Sequence, residues 1–141
     1  KNMNILNYLK KEHEDIFKSI IEVEEVIEDG NTSASEIIYI FTNFLRLVKQ
    51  HEQNESFIFR KLENNCDLKV PMYKIMIDSR RINGHVFVMK KAMHSQDETN
   101  LRVALDNDGR MLLSKIKEQI FREEMVLDRI LFLHMNSEID A

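Results

Sequence analysis

The sequence predicts an all-α fold, an up-down-up-down four-helix bundle filling residues 1–141 as one domain, and three observations carry that expectation. Only three Gly and one Pro interrupt 141 residues, of which 43% are hydrophobic and 31% charged. Such a chain has few places to turn and favours a few long helices over many short strands. Apolar residues recur at spacings of three and four through each long segment. Several of these apolar stripes turn polar near their centres, where a core should lie.

The first helix is expected from about Asn4 to Asp29, with Leu6, Leu9, His13, Ile16, Ile20 and Ile27 along one face and Gly30 as a left-handed terminator. Glu12, Glu14 and Asp15 fall on other faces and read as solvated charge. Asn31 to Ser35 form a turn, and Ser33 with Glu36 makes a capping box before the second helix. That helix carries Ile37, Ile40, Phe41, Phe44, Val48, His51, Glu55, Ile58 and Leu62 on its stripe and is expected to end near Asn64 and Asn65.

Cys66 to Val70 lead onward, and Pro71 suits the first turn of the third helix. The third stripe reads Ile75, Asp78, Ile82, His85, Val88, Met89 and Ala92, with Arg81 at its edge and Gly84 as a weak point. Two turn-like clusters, Ser95 to Asn100 and Asp106 to Gly109, are expected to bracket the last connection. The second resembles part of a calcium loop but lacks the Glu at the twelfth position, so it reads as a helix start or a weak point. The final helix presents Leu112, Ile116, Gln119, Glu123, Val126, Ile130 and Leu133. His94 and His134 are expected at the surface, away from any site.

Composition narrows the function classes. A net charge of −4 and the lack of a basic block argue against nucleic acid as a partner. Cys66 is alone, so no intrachain disulfide forms. No run approaches eighteen apolar residues and no signal-like segment opens the chain, so a soluble, cytoplasmic protein without a membrane partner is expected.

The polar residues inside the stripes carry the functional expectation. A Glu buried beside a His asks for a proton, a cation or a metal. In an up-down bundle, residues at equal depth on consecutive helices have their sequence midpoint at the intervening turn. His13 and His51 have midpoint 32, His51 and His85 midpoint 68, and His85 with Gln119 or Glu123 midpoint 102 or 104, each in an expected connection. The expected layer therefore contains His13, His51, Glu55, His85, Gln119 and Glu123, with Arg81 within reach. Mixed imidazole and carboxylate donors suit iron, manganese or zinc rather than calcium or magnesium. No Glu-x-x-His occurs, which removes the ferritin-like plan, and no His-Glu-x-x-His, which removes a zincin protease.

Over essentially its whole length the chain resembles the hemerythrin-like, HHE cation-binding family. The resemblance rests on Leu9-Lys-Lys-Glu-His13-Glu, on His51-Glu-Gln-Asn-Glu55, on His85 and on Arg122-Glu123-Glu124-Met125-Val126-Leu127. It implies a four-helix bundle around a non-haem di-iron centre, with His13 and His51 as terminal ligands of one metal, Glu55 and Glu123 as bridges, and His85 as a ligand of the other. Two positions depart from the pattern: Arg81 stands where oxygen-carrying members have His, and Gln119 stands where the helix-four His would be. Gln119 can offer only an amide oxygen, a weaker iron ligand than imidazole. Arg81 either neutralises the carboxylates in a metal's stead or points to solvent beside Asp78. One firmly bound non-haem iron is thus expected, with the second site in doubt.

The expected function is binding or sensing of a small diatomic or peroxidic ligand such as oxygen, nitric oxide or peroxide. No separate base, nucleophile or substrate pocket is visible, so a binding protein is favoured over an enzyme. The alternatives are a metal-dependent peroxide- or oxygen-reducing enzyme, an iron-handling or repair protein, and a structural interaction bundle with a vestigial metal site.

Overall fold

The structure, a computed structural model, describes the backbone of residues 2–62 and 69–140 and the side chains of residues 6–58, 60, 80–129 and 131–132. Among the described residues there is no strand. Helix α1 spans Asn2–Glu28, α2 Ala34–Leu62 and α3 Lys69–His94. Helix α4 begins as an α-helix over Glu98–Ala104, passes through one π-turn over Leu105–Gly109 and continues as an α-helix over Arg110–Asp140. No described helix is long and apolar enough to cross a membrane.

The turn between α1 and α2 closes by side-chain chemistry. No glycine in the described chain has positive φ, so Gly30 does not supply the left-handed terminator that the sequence suggested. Asp29 does the work instead: its carboxylate accepts from the Asn31 N–H at 3.0 Å, and its carbonyl accepts from the Thr32 N–H at 3.4 Å. Ser33 then starts α2 as expected, its Oγ accepting from the Glu36 N–H at 3.2 Å. Arg102 of α4 reaches across to the carbonyls of Asp29 and Thr32, placing a cation at the electronegative end of α1.

The connection between α3 and α4 is shorter than the sequence suggested. It consists of Ser95, Gln96 and Asp97 alone; Gln96 takes a left-handed φ of 57°, and Asp97 caps α4 by accepting from the Asn100 N–H at 3.1 Å. The polar Asp106-Asn107-Asp108-Gly109 run lies inside α4 as the π-turn, which admits one extra residue without ending the helix. Tertiary packing accounts for the difference, because Leu101, Ala104, Leu105 and Gly109 are buried while Asp106 and Asn107 face solvent. A β-carbon at Gly109 would lie 3.1 Å from the Leu105 side chain, a tight contact that glycine avoids.

Two apolar clusters divide the interior. The larger includes Ile16, Ile20, Ile37, Phe41, Phe44, Val48, Ile82, Met89, Leu105, Leu112, Ile116 and Ile120, with Phe41 and Phe44 edge to face at 5.6 Å. The smaller contains Leu6, Leu9, Ile58 and Leu127. Buried polar residues His13, His51, Glu55, Gln119 and Glu123 occupy the α1, α2 and α4 positions between the clusters.

Two substitutions test this local account. Gly84 is exposed and a β-carbon there meets nothing within 4 Å, so Gly84→Ala should raise stability by about 0.5–1 kcal/mol through helix propensity. Asp97→Ala should lower it by about 1 kcal/mol through loss of the α4 cap. Urea denaturation measures both, and a stabilising Asp97→Ala would contradict the capping assignment.

Candidate metal centre

His13 and His51 come from the apolar faces of adjacent antiparallel helices, and the short α1–α2 turn sets them at one depth. Their Nε2 atoms lie 2.8 Å apart and their rings meet edge to face with centroids at 4.4 Å. Glu55 follows His51 by one helical turn and therefore shares its face; its Oε2 lies 2.6 Å from His51 Nε2 and 3.9 Å from His13 Nε2. Glu123 enters from α4, with Oε2 2.8 Å from His13 Nε2 and 3.2 Å from His51 Nε2. One donor atom from each of these four residues falls within a 4.8 Å set. All four side chains are at most 6% exposed, so bulk water cannot solvate these charges.

The outward sides of both imidazoles are also occupied. His13 Nδ1 is 2.7 Å from Glu124 Oε1, and His51 Nδ1 is 3.1 Å from Glu12 Oε1. A carboxylate can only accept, which assigns a proton to each Nδ1. The neutral imidazoles then direct their Nε2 lone pairs at each other and at two carboxylates. Lone pairs that close repel unless something positive lies between them. Glu55 Oε2 is a buried oxygen without a hydrogen-bond partner despite its short distance to His51 Nε2, as expected of an atom aimed at a shared point rather than at a donor. The donor set thus fits a metal cation.

Without a cation, protons must carry the compensation. Burial opposes charging either imidazole, but the nearby carboxylates of Glu123 and Glu55 outweigh it, raising His13 to about 9 and His51 to about 11. Burial and the neighbouring Glu123 push Glu55 up to about 7. Burial also opposes ionisation of Glu123, but its hydrogen bonds to Glu55 and the two histidines hold it well below the usual carboxylate range. Protonation of both Nε2 atoms would bring two N–H groups face to face across 2.8 Å, so this gap accommodates one shared proton or a cation but not two protons.

The other predicted site residues lie differently. Gln119 is buried in the layer, where its Nε2 donates to Glu123 Oε1 at 2.9 Å and so holds that carboxylate. His85 is half-buried and its Nδ1 is 3.2 Å from Asp108 Oδ1 in the π-turn. Asp108 and Glu123 are fifteen residues apart on α4, about 22 Å at 1.5 Å per residue. His85 therefore does not join the layer, and the expectation that it binds a second metal there is corrected. The midpoint argument failed for this pair because the last connection is centred at Gln96, not between residues 102 and 104. Arg81 is exposed, as the solvent-directed alternative required. Cys66 lies outside the described residues, as do the side chains of Asp78 and His134.

Sequence reasoning missed Glu12 and Glu124 because both stand one residue from the apolar stripe. That offset of about 100° places them at the edge of the core, and their side chains are 14% and 29% exposed. Their adjacency to His13 and Glu123 was the available signal. Glu52 is also half-buried, its carboxyl raised by burial and by the charge of Glu123.

His51→Ala should abolish tight metal binding, whereas His85→Ala and the exposed His94→Ala should leave it intact, as read by titration with a divalent metal. Retained tight binding in His51→Ala, or loss in His85→Ala, would overturn the assignment.

Compared with known protein families, the chain matches the hemerythrin HHE cation binding domain over residues 4–131. Comparisons with curated proteins and with solved structures found no match. With a match across nearly its whole length and a buried His/Glu cluster that can hold a cation, the chain belongs to the hemerythrin HHE cation-binding family.

Proposed function

We propose that this protein holds one non-haem iron ion through His13, His51, Glu55 and Glu123 and uses it to bind or sense a small diatomic or peroxidic ligand. The inward convergence of two imidazole Nε2 atoms and two carboxylates, with each Nδ1 engaged from outside, carries this reading. When bound, an ion with this donor set supplies coordination positions open to oxygen, nitric oxide, peroxide or water. The protein's own part is to orient the donors and exclude water. Leu9, Ile58 and Leu127 pack on one side of the layer, and Ile16, Val48 and Ile120 on the other.

Gln119 supports a count of one. A Glu123 carboxylate bridging two metals through both oxygens would have to share Oε1 with the Gln119 amide, which donates to it at 2.9 Å. The distance of His85 removes the imidazole that the family pattern would give a second ion. Among the described side chains near the layer, the titratable groups other than Glu52 are committed to the donor set or to holding it, which favours binding over turnover. Continuous peroxide consumption with a reductant would move the reading to an enzyme.

Loading with ferrous iron followed by elemental analysis should give one ion per chain. Two per chain would contradict the proposal, and none would favour a vestigial site held by protons. The pH dependence adds a second check. In the metal-free protein, His13 and His51 have raised values, so their contribution to stability is complete below about 6.5 and is lost as pH rises through about 9 and about 11. Metal uptake must displace those protons, so apparent affinity should rise roughly tenfold per pH unit for each proton displaced between pH 6 and 9. The increase in melting temperature on adding metal should accordingly be larger at pH 8.5 than at pH 6. Affinity that is flat over this interval would mean the imidazoles are not ligands.

A further inference from the structure

Each histidine of the centre is held by a carboxylate from the neighbouring helix, and each carboxylate is held in turn by the histidine's own helix. Glu12 of α1 accepts from His51 of α2 through Oε1, and its Oε2 accepts from Asn54 Nδ2 at 2.9 Å. Asn54 stands three residues after His51, so both groups reach Glu12 from one face of α2. Glu124 of α4 accepts from His13 of α1 through Oε1, and its Oε2 lies 3.5 Å from Lys10 Nζ. Lys10 stands three residues before His13, again on one helical face. Lys10 also pairs with Asp128, one turn beyond Glu124 on α4. The two chains, Asn54–Glu12–His51 and Lys10–Glu124–His13, run from the bundle surface to the two Nε2 atoms.

We propose that Glu12 and Glu124 are positioning residues that fix the Nδ1–H tautomer and ring orientation of His51 and His13, and so set the affinity of the centre for its cation. The inference rests on the metal-binding reading above. Without an outer acceptor, a neutral imidazole can place its proton on Nε2, where it blocks the ligand lone pair. The crossed pairing also ties metal binding to the packing of α1 against α2 and α4, because each histidine and its carboxylate lie on different helices. Outer partners of metal-bound histidines typically contribute 10–100-fold in metal affinity.

The test uses the full chain and Zn2+, a diamagnetic probe for the same donors. In the zinc-loaded wild type, nitrogen NMR should report Nδ1 protonated and Nε2 metal-bound for both His13 and His51. Glu12→Ala and Glu124→Ala should each weaken zinc binding about 10–100-fold, and Glu12→Gln and Glu124→Gln, which keep an acceptor oxygen in place, should recover part of that loss and the wild-type tautomer. Glu14→Ala removes an exposed carboxylate next to His13 and should leave affinity unchanged, separating positioning from a general loss of negative charge. Helical content by circular dichroism checks that each variant folds; should an Ala variant not fold, the Gln variants carry the test through a smaller loss of affinity and a retained tautomer. Zinc affinity in all four Glu12 and Glu124 variants equal to that of Glu14→Ala, or an Nε2-protonated histidine in the loaded wild type, overturns this inference alone. A wild type that takes up no metal overturns the underlying reading and this inference with it.

Discussion

Two carboxylates buried in the middle of an apolar bundle are the constraint from which the rest of the structure follows. Glu55 and Glu123 lie where ionised groups are very costly unless opposed by positive charge and hydrogen bonds. The bundle meets that cost by bringing polar groups from α1, α2 and α4 to bear on them. His13 and His51 face them from within, Gln119 fixes one oxygen of Glu123, and Glu12 and Glu124 hold the imidazoles from outside. The apolar clusters on either side keep water out, which strengthens each of these interactions and raises the cost of leaving any group unpaired.

The geometry of the helices serves the same layer. A short turn closed by Asp29, Thr32 and Ser33 sets the register of α1 against α2, and that register places His13 opposite His51. Arg102 ties α4 to the same turn, and further along the two helices His13 and Glu123 come into contact. The π-turn lies between those two points. It keeps Leu105 and Gly109 buried while α4 continues without a break towards Gln119 and Glu123.

Much of this was legible in the sequence, and the failures have physical causes. Helical spacing gave the fold and put His13, His51, Glu55 and Glu123 on interior stripes, because period and burial are linked wherever a helix packs on a core. Gly30 misled because a side chain with its own acceptor, Asp29, closed the turn by another route. Asp106 to Gly109 misled because local composition resembles a loop, whereas burial of Leu101, Ala104 and Leu105 holds the segment in the helix. That error moved the last connection, and with it the apparent depth of His85. Glu12 was read as solvated and Glu124 was given no role because half-burial leaves no periodic signature; only the contact between helices reveals their part.

The central claim is that His13, His51, Glu55 and Glu123 together hold a single metal ion. X-ray absorption at the iron edge of the ferrous-loaded protein tests it most directly. The account predicts two imidazole nitrogens and carboxylate oxygens at about 2.0–2.2 Å, with no metal–metal scattering. A heavy scatterer at about 3.5–4 Å would reveal a dinuclear centre, and a shell without imidazole would place the iron elsewhere; either result would contradict the account.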